Sequence, residues 1–347
     1  MNLTQAEAMR DRIQGAMQRA GGDESRFGPI AAEALAATRL DAADFSLEAL
    51  AEWVGKPGGL VDPGDAASPF GDLPLTLARG NGFSIQLLLW TVGSTAIHTH
   101  SFSGAFTVLK GSSLHTLYQM ETRQRLSAGG RWVRCAVDGV ERLEVGDVRV
   151  IESGERMVHS TFHVDEPTLS LVVRTDHEPW SGPQLLIVPP DLAISVEWLR
   201  RDARVQMVEK ALRAMKTLDD ARLEAAFDRA IEQLDLPRVC LLLRSCYGLI
   251  YGPPRDRLLE RIKKIHGEPA AKLPEAVRRL EHGALIKDLR AHTEEPAARR
   301  ILAALLVAED RRHFTTILDL FRIGPDVLEH WATEIPAIRK LQPEGAR

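Results

Sequence analysis

WTVGSTAIHTHSFSGAFTVLKGSSLHTLY, residues 90–118, places His98 and His100 two apart in a run of β-forming residues. Side chains two apart on a strand point the same way, so both imidazoles can reach one metal ion from a single face. Gly93 and Gly111 mark where the backbone turns on either side. The texture continues outward. Phe83, Ile85, Leu87 and Leu89 alternate with Ser84 and Gln86, the period of a half-buried strand. Further short apolar or alternating runs fall at 106–110, 114–120, 131–137, 148–152, 158–163, 169–174 and 184–188. Between them stand Gly111, Gly129-Gly130, Asp138-Gly139, Gly146-Asp147 and Ser153-Gly154. Evenly spaced short strands with turn residues between them indicate a barrel or sandwich. Asp138-Gly139 is the best candidate for a tight hairpin.

The flanks read differently. Met9, Ile13, Met17 and Ala20 form one helical stripe ended by Gly21-Gly22, and Ser46 is placed to cap a second helix over residues 48–54. A Gly- and Pro-rich linker follows. Pro189-Pro190 closes the β region, and from there to the end the pattern is helical. Thr217-Leu218-Asp219-Asp220 resembles a capping box, and Pro237, Pro253-Pro254, Pro274, Pro296 and Pro325 stand near helix starts, where a missing N–H costs least. The expected organisation is N-terminal helices and linker over 1–70, a β-barrel over 71–190 and an all-helical domain over 191–347. The fold class is α+β.

A chain of 347 residues with 44% hydrophobic and 27% charged residues suits two globular domains, and its net charge of −4 points to neither nucleic acid nor an anionic membrane. No apolar run approaches the roughly 18 residues that span a bilayer, and residues 1–12 lack the apolar core of a signal peptide. The three cysteines, Cys135, Cys240 and Cys246, have no metal-site or disulfide spacing. Reduced thiols in a cytoplasmic protein are expected. Cys240 and Cys246 are read as helix packing, Cys135 as buried in a strand.

The glycine, His-x-His and later glycine resemble the first motif of the cupins, a family of jelly-roll β-barrels. Gly93, His98, His100 and Gly111 occupy four of its places, but Gly104 and Ala105 stand where the cupin glutamate belongs, and the next acid is Glu121. The resemblance puts the second motif at 146–159 and makes His159 the third ligand. His163, four further on and on the same face, is its competitor, or else a hydrogen-bond donor to bound oxygen or a rim residue. Three neutral imidazoles suit Fe(II), Zn(II), Ni(II) or Cu(II). Gly80-Asn81-Gly82-Phe83, the run from Ile97 to Phe106, Leu109-Lys110-Gly111 and the segment Glu166 to Leu171 narrow the resemblance to the cysteine dioxygenase family, over roughly residues 45–190. Members of that thiol dioxygenase family hold one Fe(II) with three histidines and no glutamate, which maps the ligands onto His98, His100 and His159.

The departures are specific. Where that family alternates serine, histidine and tyrosine after the third ligand, this chain has Ser170, Val172 and Arg174. Its crosslinking cysteine falls at Ala105, and its substrate-binding arginine falls near Pro74. Arg174 shares strand parity with Ser170, so it either holds an anion from the pocket wall in two-pronged fashion or pairs at the rim with Asp176 or Glu178. Tyr118 either substitutes for the missing tyrosine or, as aromatics on barrel strands more often do, packs in the core, and His115, on the opposite parity of the same strand, fits pocket or surface equally. The expected function is an Fe(II) oxygenase of the cysteine dioxygenase-like cupin type, using O₂ and a small thiol or other anionic substrate. The rivals are a non-catalytic metal-binding cupin that senses or interacts through its helical domain, and a Zn or Ni cupin enzyme. Homo-oligomerisation or docking through that domain is a further expectation.

Overall fold

The computed structural model describes residues 3–38, 51, 55, 71–91, 93, 95–127, 130–176, 178–188, 191–218 and 222–341. In chain order it contains helices α1 (Leu3–Arg19) and α2 (Phe27–Ala37), then strands β1 (Leu73–Gly80), β2 (Phe83–Trp90), β3 (Ile97–His100), β4 (Gly104–Lys110), β5 (Ser113–Ser127), β6 (Gly130–Leu143), β7 (Val148–Ile151), β8 (Gly154–His163), β9 (Thr168–Thr175), β10 (Leu185–Val188) and β11 (Leu192–Ser195). The chain divides into two compact units, Met1–Gln119 with Ala136–Gln184, and Met120–Cys135 with Leu185–Arg347. These boundaries differ from those expected at 70/71 and 190/191, because α1 and α2 join the barrel and the tip of the β5–β6 ribbon joins the helices.

In the first unit, one antiparallel sheet runs β1-β2-β9-β4-β7. Its three central strands, β2, β9 and β4, are buried on both faces along most of their length, and the period of two divides the residues cleanly. Ile85, Leu87, Leu171, Val173 and Ala105 face outward and pack with Met9, Ile13, Phe27 and Leu35 of α1 and α2. The opposite parity, including Leu88, Trp90, Phe106, Val108 and Val172, forms a separate inner cluster. Each large apolar side chain so buried contributes about 1.5–3 kcal/mol, so the helices fix which face of the sheet looks inward. The second sheet pairs β3 with β8 and β8 with β5.

Several expectations need correction. Asp138-Gly139 is not a turn but lies inside β6, where Asp138 Oδ1 accepts a hydrogen bond of 2.7 Å from Gln119 Nε2 across the ribbon. The tight hairpin is Asn81-Gly82, between paired Gly80 and Phe83, with Gly82 at φ 78°. The helix α2 was not anticipated. Residues 48–54 and the capping-box residues 219–220 lie outside the described residues, except Ala51, which is helical. One more strand, β11, follows Pro190 and pairs with β10.

In the second unit, β11 also pairs with the distal part of β6. Ten helices follow among the described residues, α3 (Val196–Arg201), α4 (Ala203–Leu218), α5 (Leu223–Gln233), α6 (Leu236–Cys246), α7 (Pro253–His266), α8 (Leu273–Ala291), α9 (Pro296–Val307), α10 (Arg311–Leu320), α11 (Pro325–Glu334) and α12 (Pro336–Leu341). Proline occupies the first turn of α6, α7, α8, α9 and α11. Asp235, Glu295 and Asp310 accept from the backbone N–H groups of Arg238, Ala298 and His313, caps worth about 1 kcal/mol each. Leu192, Ile194, Phe227, Ile231, Leu242 and Ile262 belong to one core. Burial pushes the Cys240 thiol up to about 12 and the Cys246 thiol to about 11, as fits packing residues and not nucleophiles. Among the described residues, no helix is long and apolar enough to cross a membrane.

Candidate metal centre

His98 and His100 leave β3 on the same side, and His159 faces them from β8, where it is the register partner of His98. The pairing is irregular between His98 and His100, with His100 opposite Gly154, a bulge that re-aims the second imidazole. All three side chains are buried. Their Nε2 atoms converge, with that of His159 standing 3.1 Å from His98 Nε2 and 3.2 Å from His100 Nε2. Among the described residues this is the one group of three potential ligands close enough to hold a metal ion.

The hydrogen bonds behind the rings decide where the protons are. His98 Nδ1 lies 2.8 Å from the Ala96 carbonyl oxygen, so Nδ1–H donates and Nε2 carries a lone pair. His115 Nδ1 lies 2.8 Å from Glu141 Oε1, and His115 Nε2 lies 2.8 Å from His159 Nδ1. When His115 donates from Nδ1 to the carboxylate and accepts at Nε2, His159 carries its proton on Nδ1 and a second lone pair on Nε2. Burial opposes adding a proton between those lone pairs. It holds His98 down to about 4, and it holds His100 and His159 well below the usual range, with the neighbouring histidines adding to the shift.

Lone pairs 3.1 Å apart repel one another in an apolar cage unless a cation lies between them. Nitrogens each about 2.0–2.1 Å from one divalent ion, near right angles, stand roughly 3.0 Å apart, so the donor set fits a metal. A carboxylate ligand is excluded at the cupin position. A Cβ on Gly104 would lie 2.0 Å from the Val173 carbonyl oxygen, and Ala105 points to the helices.

The remaining candidates divide. His163 stands apart from the converging trio: its ring stacks on Trp90 at 4.2 Å, its Nδ1 is 2.9 Å from Ser113 Oγ, and its Nε2 has no hydrogen-bond partner among the described residues. Burial lowers its pKa to about 3. Ser170 accepts a 3.0 Å hydrogen bond from Trp90 Nε1. His163, Ser170, Val172 and Arg174 all line one cavity with the three histidines, about 80 Å³ in volume. The Arg174 guanidinium lies 4.7 Å from the Phe102 ring centroid, a cation–π distance. Of the acids suggested as its rim partners, Asp176 binds Arg79, and Glu178 binds Ser103 and Thr175. None of the described residues lining the cavity is acidic. Tyr118 is a correction: it does not line the cavity, and its hydroxyl meets Ser160 Oγ at 3.2 Å. His115 takes the inward parity of β5 instead, its ring buried against His159 and Phe106.

No protein-family model matches the sequence, and no curated protein matches it. Similar solved structures include a cupin-2 domain protein from Shewanella frigidimarina, at 16% identity over 35% of this chain and 99% of that one, with a TM-score of 0.22. A double-stranded β-helix protein from Klebsiella pneumoniae gives 14% over 37% and 90%, with a TM-score of 0.24. Hydroquinone 1,2-dioxygenase from Sphingomonas, solved with 4-hydroxybenzoate bound, gives 10% over 32% and 70%, with a TM-score of 0.25. The barrel is cupin-like in fold. The strand order and the inward histidines of β3 and β8 carry that statement, and likeness at this level says nothing about the reaction.

Proposed function

We propose that the barrel is a mononuclear non-haem Fe(II) oxygenase acting on a small anionic substrate, with a short mercaptocarboxylate as the best-fitting class. The observation that carries this reading is a carboxylate-free trio of neutral imidazoles, His98, His100 and His159, in one cavity with Arg174. Neutral ligands leave the full double charge of the ion uncompensated, which favours an anionic donor such as a thiolate. The thiol itself comes from the sequence resemblance to cysteine dioxygenases.

Bound Fe(II) supplies open coordination positions and one-electron chemistry with O₂. The chain supplies the rest. Arg174 holds the substrate carboxylate by charge-assisted hydrogen bonds. Leu88, Phe106, Val108 and Val172 keep bulk water from the reacting groups. His163, neutral in its buried position, offers Nε2 for a hydrogen bond to substrate or O₂. With no acid among the described residues of the wall, an α-ammonium group finds no ionic partner there, and a plain mercaptocarboxylate is favoured over an amino acid.

The test is anaerobic loading with Fe(II), followed by O₂ uptake against mercaptocarboxylates, cysteine, other thiols and plain carboxylates. Uptake that depends on a mercaptocarboxylate, with one O₂ consumed per sulfinate formed, is the expected result. Stoichiometric iron with no substrate-dependent uptake would refute the oxygenase and leave the non-catalytic metal-binding cupin. Tight Zn(II) or Ni(II) binding with turnover in the absence of O₂ would point to the hydrolase or isomerase alternative.

A further inference from the structure

Behind the metal-facing atoms lies a connected row of polar side chains that the proposed reaction does not use. Arg149 donates from Nε to Glu141 Oε1 at 2.8 Å and from Nη2 to Oε2 at 2.5 Å, a two-pronged pair near the surface. Glu141 Oε1 accepts from His115 Nδ1 at 2.8 Å, and His115 Nε2 meets His159 Nδ1 at 2.8 Å. His115 is buried to 1% exposure and its ring plane is set by Phe106, edge-on at 5.7 Å. The three converging histidines thus have different supports. His98 leans on a backbone carbonyl, His100 Nδ1 has no hydrogen-bond partner among the described residues, and His159 alone is backed by a second imidazole and a carboxylate.

We infer that His115 is a positioning residue of the metal centre: with Glu141 and Arg149 behind it, it fixes the His159 tautomer, orients that ring and increases its donor strength toward the ion. The inference rests on the three-histidine metal site. The physical reason is directional. Glu141, locked by two bonds to Arg149, can only accept, and a His159 that turns the Nε2 lone pair to an ion needs an acceptor for its Nδ1–H, so the metal-bound arrangement has His115 giving its proton to Glu141 and its lone pair to His159. A hydrogen bond accepted from Nδ1–H shifts electron density onto Nε2, the atom that meets the metal. Removing such a supporting partner typically weakens metal affinity about 10- to 100-fold.

The experiment measures Co(II) affinity of the full-length chain by competition with a chromophoric chelator, together with the visible Co(II) spectrum, for wild type, His115→Leu, His115→Gln and Glu141→Gln. Leucine removes the acceptor. Glutamine restores both bonds, with Oε1 accepting from His159 and Nε2–H donating to Glu141. His115→Leu should bind Co(II) about 10- to 100-fold more weakly with displaced bands, while His115→Gln stays within about threefold with bands near wild type. Equal losses in both variants would overturn the inference in favour of mere packing. Wild-type affinity and spectrum in His115→Leu would overturn it outright. Should His115→Leu not fold, Glu141→Gln decides, with about 3- to 10-fold weaker binding and shifted bands supporting the relay and wild-type behaviour refuting it. A wild-type chain that binds no Co(II) at all would sink the metal-site reading itself, a result distinct from tight binding that is indifferent to His115.

Discussion

His163→Phe offers a quantitative test of how the cavity is built. The wild-type imidazole is buried against Trp90 with its pKa lowered from 6.5 to about 3 by desolvation. The folded protein therefore refuses a proton that the unfolded chain accepts. Stability due to a neutral buried histidine is complete above the unfolded value of 6.5 and is lost as pH falls toward the folded value of about 3. At pH 5 the loss amounts to about 2 kcal/mol for His163, and His98, held down to about 4, adds a comparable amount. Phenylalanine keeps the stack on Trp90 and cannot titrate. It forfeits the bond to Ser113, a cost of about 1 kcal/mol that does not change with pH. Urea unfolding of the metal-free chain at pH 8, 7, 6 and 5 should show stability falling by about 2 kcal/mol less in the variant than in wild type. Identical falls in both proteins would refute a buried, neutral His163.

Three other outcomes follow from the same geometry. Replacing Arg174 with Gln should raise KM for a carboxylate substrate roughly 10- to 100-fold, the worth of a hydrogen bond to a charged group, with little change in bound iron; steady-state kinetics and metal analysis check both halves. Gly104→Ala should destabilise the barrel by roughly 3 kcal/mol or more, because the new Cβ meets the Val173 carbonyl oxygen, and denaturant unfolding reads it. Saturating Zn(II) should raise the acid stability of the wild-type chain, since an ion that binds only the folded state adds about 2.7 kcal/mol at a hundredfold excess over its dissociation constant. A His98→Ala variant should show no such rise.

The sequence made the metal-facing pair legible because it depends only on the strand period. His98 and His100 face one side whatever the rest of the chain does. His159 and the absent glutamate needed the family pattern, and the structure adds the reason for that absence in the close approach of Gly104 to β9. His115 could not be placed from alternation, because the inward parity of β5 is set by its register with neighbouring strands, such as Leu117 opposite His159 and His115 opposite Thr161 on β8. The same blindness put Tyr118 in the site. Asp138-Gly139 read as a hairpin because local turn chemistry does not reveal that a 15-residue strand and a 14-residue strand run past it. The helix α2 escaped notice because Arg26 supplies no side-chain cap and its alanines give a weak stripe, so that packing on β4 and β7, not a local signal, holds it.

The proposed function requires that three histidines and no acid hold one metal ion. Anaerobic Fe(II) titration of wild type, His159→Ala and His163→Ala, with bound iron counted after desalting, tests it most directly. One iron per chain is expected in wild type and in His163→Ala, and none in His159→Ala. Full retention of iron in His159→Ala, or its loss in His163→Ala, would contradict it.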